Sequence, residues 1–328
     1  MLPKVFLLAC RTTALCLVAL LACGWPAQSR ADYPDRSIVI MVGFAPGGGT
    51  DTVARVLARE LGSQLKQSVV VENKPGAAGA IAAAQVSRAP ADGYTLLLSD
   101  PAFVVNTALT DNIGYDLKNG FAPVSTVTMS PLVLVVPPSS KASNVANLST
   151  IASQQPGGLN FASSGVGTTP HLAAEMLRFA TNAPFTHVPY KSTALAMTDL
   201  AAGQLDFSFA TIASAKPFIQ KNSVRVIATT GLKRSSLFPD IPTVAERFPN
   251  FEVQFWTGLF APAGTPPDIV NRLNSAVKAA LSNPEAIKSL EQTGGIATHL
   301  SVEKSTQFFD SELQRWTALI QKAKIKPE

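Results

Sequence analysis

"VGFAPGGGTDTVAR", residues 42–55, decides how the rest of the chain reads. It follows the apolar run SIVIMV (37–42) and leads into a segment whose Val53, Val56, Leu57, Leu61 and Leu65 share one helical face. A strand, a glycine loop and a helix in that order offer an anion unpaired N–H groups and a positive helix end. Three consecutive glycines are costly at such a junction unless something approaches the backbone closely.

Outward from that loop, strand and helix patterns alternate. SVVV (68–71) and YTLLLS (94–99) read as strands, with a helix over 79–88 between them. A second series starts near Pro131. It has strands at 132–136, 159–162, 185–188, 205–209 and 224–229, and helices over 147–154, 170–180 and 192–202. A further strand near 255–262 precedes two long helices, one carrying Ile269, Leu273, Val277 and Leu281, the other Phe309, Leu313, Trp316 and Ile320. This is an α/β chain of two series, each too long for one βαβ unit, and so two lobes with a cleft between them. The chain is expected to cross near 126–131 and return near 250–256. Lobe 1 then comprises 32–128 plus 253–328, and lobe 2 comprises 129–252.

Residues 1–31 read as an export signal, with Lys4 and Arg11 ahead of the apolar run 12–23 and small residues at Ser29 and Ala31. A lipoprotein signal acylated at Cys23 is the alternative. Cleavage would remove Cys10, Cys16 and Cys23, every cysteine of the chain, and with them any disulfide, thiolate or cysteine metal site. It would also remove three of the 27 Lys and Arg, Arg30 being the third, leaving 24 against 22 acids. A net charge of +2, without a basic–aromatic run, is no warrant for a nucleic-acid partner.

The second series contains its own glycine loop, Ser163-Ser164-Gly165-Val166-Gly167-Thr168-Thr169-Pro170-His171. Neither loop suits a nucleotide. There is no G-x-x-x-x-G-K-[ST], the first loop lacks G-x-G-x-x-G spacing, and Asp51 would repel a pyrophosphate. Each loop alone could be a turn with a cap, Thr169 as N-cap and Pro170 at N1 in the second. One on each lobe favours two helix N-termini converging on a single anion. Catalytic and metal readings are thin: His171, His187 and His299 form no metal spacing, and no cofactor is implied. A hydrolase using Ser164 and His171 would lack both a G-x-S-x-G elbow and a third member.

Several colinear stretches carry a resemblance: YPDRSIVIMVGFAPGGGTDTVAR (33–55), VVVENKPGAAG (69–79), ADGYTLLL (91–98), FAPVS (121–125), ASSGVGTTPHLAAEML (162–177), HVPYKS (187–192), FPDIPTVAE (238–246) and WTGLFAPAGTPPDIVNRLN (256–274). The chain resembles the Bug-type receptors, extracytoplasmic solute-binding proteins of tripartite tricarboxylate transporters, over essentially its whole length past residue 31. The resemblance implies a two-lobed periplasmic-binding-protein fold of type II, each lobe a mixed sheet flanked by helices. It implies no enzyme but a periplasmic, monomeric receptor that captures a di- or tricarboxylate or an aromatic acid and delivers it to membrane permease subunits. A receptor domain that signals to a membrane kinase is the alternative.

Carried over, the residues implied to grip the carboxylate are Phe44, Gly47, Gly48, Gly49, Thr50 and Asp51 on one side. Ser163, Ser164, Gly165, Gly167, Thr168 and His171 form the other, with Tyr190 on the second wall. Asp100 and Thr211 complete the set at positions that depart from the family pattern. Ser99-Asp100-Pro101 stands where the family has Gly-Thr-Asn, and Ala210-Thr211 where it carries an acidic or amide pair. Tyr190-Lys191-Ser192 replaces Tyr-Lys-Gly.

Overall fold

The computed structural model describes residues 33–190 and 193–326. The export signal, its Cys23 alternative and the Lys191-Ser192 departure lie outside the described residues.

Short β-branched runs become strands and the amphipathic segments between them become helices. In chain order these are β1 (Ile38–Val42), α1 (Gly49–Leu65), β2 (Val69–Asn73), α2 (Ala80–Ser87), β3 (Thr95–Ser99), α3 (Ala102–Leu109) and β4 (Phe121–Val136). Next come α4 (Val145–Gln154), β5 (Leu159–Ser163), α5 (Thr169–Thr181), β6 (Phe185–Pro189), α6 (Thr193–Ala201), β7 (Phe207–Thr211), α7 (Ile212–Gln220) and β8 (Arg225–Thr229). The chain closes with β9 (Gln254–Pro262), α8 (Pro267–Ala280), α9 (Pro284–Gln292) and α10 (Val302–Ala323).

Among the described residues the strands join in the order β2-β1-β3-β9-β4-β7-β5-β6, with β8 also on β4. β1 lies parallel to β2 and β3, and β9 runs antiparallel between β3 and β4. β5 likewise lies parallel to β6 and β7, while β4 runs antiparallel between β7 and β8. The two halves therefore repeat one layout, with β1 and β5 in equivalent central positions. In each, a parallel strand ends at a loop that opens a helix, at the point where neighbouring connections diverge to opposite sides. Open α/β sheets expose their binding crevice there.

β4 takes part in both halves. Its residues 121–131 pair with β9 and its residues 132–136 with β7 and β8. Sequence reading anticipates a strand only over 132–136 and a crossing near 126–131, and Pro123 and Pro131 would each interrupt the hydrogen bonding of a central strand. The structure accommodates both prolines. The β4–β9 register shifts just after Pro123, and Pro131 occupies the last pair before β4 changes partners. Fully buried Leu132, Val133, Leu134, Val135 and Val136 then form the middle of the second half.

The core of the first half gathers Met41, Leu97, Phe103, Phe260 and Phe309, the ring of Phe260 meeting those of Phe103 and Phe309 at a tilt. Glu312 on α10 is buried with it, accepting the indole N–H groups of Trp256 at 2.7 Å and Trp316 at 3.0 Å and an Arg315 guanidinium bond. That network ties the C-terminal helix to β9 beside the crossing. α9 is absent from the sequence reading, which takes the C-terminal region as two helices.

Candidate functional site

α1 begins at Gly48 as N-cap with extended backbone, and no side chain caps it. Its first-turn N–H groups are thus left for an outside acceptor. α5 begins at Thr168 as N-cap, again without a side-chain cap bond, which places Thr169 at N1 and Pro170 one position further in. The sequence expectation of Thr169 as N-cap is one residue late. Thr168 Oγ1 instead donates to the Gly165 carbonyl at 2.7 Å, closing the loop on itself.

The two helix starts face one cavity of about 370 Å³. Phe44, Gly48, Gly49, Thr50, Val53, Ala78, Asp100 and Ala102 line it from the first half, and Ser164, Thr168, Thr169, Pro170, Thr193 and Thr211–Ser214 from the second. Thr128, Ser130, Pro131, Phe255 and Thr257 on the crossing strands form its back, together with Thr293, Gly294 and Gly295. Among the described lining residues Asp100 is the only ionisable side chain. Polarity comes from hydroxyls and helix starts, and the remainder is apolar.

Of the expected contacts, Phe44, Gly48, Gly49, Thr50, Asp100, Ser164, Thr168 and Thr211 meet at this cavity. Gly47, Asp51, Ser163, Gly165, Gly167, His171 and Tyr190 do not line it, and the bonds they make give the reason. Asp51 is buried, its Oδ2 accepting from Gly47 N at 2.9 Å and Arg55 Nε at 2.9 Å, its Oδ1 from Asn73 Nδ2 at 2.8 Å. Burial alone would raise this carboxyl, but the bonds from Arg55, Gly47 and Asn73 outweigh it and hold it below its ordinary value. Asp51 braces the glycine loop from behind. Tyr190 turns its hydroxyl to Asp199 at 2.8 Å.

The second loop is braced by two stacked imidazoles. His171 Nδ1 accepts from Gly167 N at 3.0 Å, His187 Nε2 bonds Ser163 Oγ at 2.7 Å, and the rings stack 4.0 Å apart at 13°. Burial pushes both imidazoles down to about 4, with the Arg178 charge adding to the effect on His171 and the neighbouring ring on His187. His171 therefore belongs to the scaffold, whereas Ser164 faces the cavity. The geometry offers Ser164 no base in His171, whose Nδ1 is committed to the Gly167 N–H.

These histidines make stability fall as pH drops. Their folded-state pKa lies below the unfolded value near 6.5, so the unfolded chain takes protons first. The neutral-ring contribution is complete above pH 6.5 and fades as pH falls toward 4. Discounted for the partial exposure of the rings, the expected loss from the two together is on the order of 2–4 kcal/mol by pH 5.0. Denaturant titrations at pH 7.5, 6.0 and 5.0 check it, and His187→Phe should roughly halve the dependence while keeping the stack, since His171 still titrates.

Besides α3, whose first residue Ala102 lines the cavity, two lining elements escape sequence reading. α7 starts at Thr211, whose Oγ1 accepts from Ser214 N at 3.3 Å, and this third helix start also faces the cavity. The helix is short, contains Pro217 and opens without a glycine, so nothing in its sequence announces it. The other is the turn Thr293-Gly294-Gly295, held by Ser130 Oγ, which donates to the Gly294 carbonyl at 2.8 Å. Among the described residues, no cluster of His, Cys, Asp and Glu could hold a metal, and no helix is long and apolar enough to cross a membrane.

Comparison with known proteins agrees with this layout. Residues 53–325 match the model of the tripartite tricarboxylate transporter family receptor. Protein BugT of Bordetella pertussis is 34% identical over 322 residues, covering 96% of this chain and 99% of that protein. Among solved structures, Rpa4515 of R. palustris with adipate superposes with a TM-score of 0.78 at 33% identity, covering 90% of this chain and 100% of that one. MatC (Rpa3494) from Rhodopseudomonas palustris with bound malate gives 0.73 at 31%, covering 88% and 100%.

Proposed function

The chain belongs to the tripartite tricarboxylate transporter receptor family, and from that premise we propose that it captures a small carboxylate in the cavity between its lobes. The observation that carries this reading is the convergence of the α1, α5 and α7 starts on one cavity without a lysine or arginine among its described lining residues. Each helix start behaves as roughly half a positive charge, and charge-assisted N–H···O bonds are about twice as strong as neutral ones. A carboxylate is satisfied by that arrangement. With lobe 1 at 32–128 plus 253–328 and lobe 2 at 129–252, α1 lies on one lobe and α5 and α7 on the other. An anion bridging them stabilises the closed form, which is the state a permease would recognise.

The carboxylates named with Rpa4515 and MatC, adipate and malate, support the ligand class. Delivery to membrane permease subunits, action as a monomer and residence in the periplasm follow from the same family reading. A thermal-shift screen over mono-, di- and tricarboxylates, aromatic acids and amino acids tests the ligand class. Several degrees of stabilisation by carboxylates, and none by the matching amides, is the expected result. Indifference to every carboxylate would remove the proposal. Retrieval of the permease subunits from membranes by loaded receptor tests the transport role, and retrieval of a sensor kinase in their place would favour signalling.

A further inference from the structure

Asp100 stands at the end of β3, 6% exposed, and lines the cavity. Its Oδ1 accepts from Ala102 N at 3.0 Å in the first turn of α3, and its Oδ2 accepts from Thr50 Oγ1 at 3.0 Å in the first turn of α1. Two consequences follow. The Thr50 hydroxyl, which would otherwise serve an incoming anion, is turned to a protein carboxylate. That carboxylate also retains acceptor capacity, since an ionised pair of oxygens takes about four hydrogen bonds and two are engaged among the described residues.

We propose that Asp100 sets ligand choice: the cavity takes carboxylates that also present a hydrogen-bond donor, a hydroxyl or an ammonium, and discriminates against those that bring a second carboxylate within reach of Asp100. The proposal rests on the carboxylate-capture reading and narrows it. One ligand carboxylate is met by the helix starts. A second, brought near Asp100, would set two like charges in a buried site with no lysine or arginine among the described lining residues to compensate. A hydroxyl or ammonium there meets an acceptor with free lone pairs, and an ammonium also cancels its charge. The surroundings keep Asp100 an acceptor at neutral pH. Burial pushes it up only to about 6, because the Ala102 N–H and the Thr50 hydroxyl favour the ionised form.

The test is calorimetry at pH 7.5 on two matched panels. One contains hexanoate, 6-hydroxyhexanoate, 6-aminohexanoate and adipate; the other contains butanoate, 4-hydroxybutanoate, 4-aminobutanoate and succinate. The proteins are wild type, Asp100→Asn and Asp100→Ser, serine being able to keep the bond to Ala102 N if the asparagine variant folds poorly. In at least one panel, wild type should bind the hydroxy or amino acid at least tenfold more tightly than the diacid. Both variants should lose that preference and gain at least tenfold for the diacid, about 1.4 kcal/mol. An unchanged ranking in folded variants overturns the role of Asp100 and leaves the clamp standing, provided Gly48→Asp still abolishes binding. Failure of wild type to bind any member overturns the inference, and indifference to every carboxylate of the thermal-shift screen overturns the clamp with it.

Discussion

Gly48→Asp should lower carboxylate affinity at least a thousandfold while leaving the fold intact. Gly48 is the N-cap of α1 at φ −72° and ψ 167°, an extended conformation that any residue adopts. An added Cβ would find the Ala45 carbonyl as its nearest neighbour at 3.4 Å, an ordinary contact. Aspartate is a favoured N-cap residue, so α1 should keep its stability or gain a few tenths of a kcal/mol. Its carboxylate would take the N–H groups the ligand needs. It would also repel a ligand carboxylate about 4 Å away by roughly 4 kcal/mol at an effective dielectric near 20. Calorimetry paired with a thermal melt reads both quantities, and unchanged affinity in the folded variant removes the first loop from the site.

Gly294→Val should weaken binding at least a hundredfold, by wedging the cavity open. Gly294 sits at φ +75°, where an added Cβ would lie 2.7 Å from the Ala213 backbone nitrogen and 3.1 Å from Ile212 Cβ. Those atoms belong to the first turn of α7, which packs directly against the turn that carries Gly294. Backbone cannot yield as a flexible side chain can, so α7 must move away. The left-handed conformation adds roughly 1–2 kcal/mol of strain for a residue with a Cβ. A fall in melting temperature of roughly 3–6 °C should accompany the lost affinity. Gly157→Val separates the two effects, since Gly157 has φ +84° with nothing within 4 Å. That variant should lose stability and bind normally. Small-angle scattering should report a larger radius of gyration for Gly294→Val in the presence of ligand; equal radii and equal affinity would contradict the wedge.

The central strands and both glycine loops were legible because their signals are local. A β-branched run, a loop of glycine and hydroxyl residues and an amphipathic stretch specify strand, junction and helix without tertiary information. The direction of a side chain at the junction is not local. Asp51, His171, Ser163 and Tyr190 have the chemistry of ligand contacts, yet partners from elsewhere in the fold, Asn73, His187 and Asp199 among them, turn most of them into braces. The rear wall was hidden for a different reason. Thr128, Ser130 and Thr257 lie on the long strands β4 and β9, and Gly294 reaches Ser130 from 164 residues further along. Proline inside β4 and α7 masked the remaining elements, since sequence rules read proline as an interruption.

The account turns on helix starts from both lobes holding one carboxylate, and a ¹⁵N–¹H amide titration tests that most directly. With the tightest-binding carboxylate from the screen, the amides of Gly48, Gly49 and Thr50, of Thr168 and Thr169, and of Ala213 should shift together. All should saturate at the affinity given by calorimetry. Shifts confined to one set of helix starts, or saturation with all three unmoved, would contradict it.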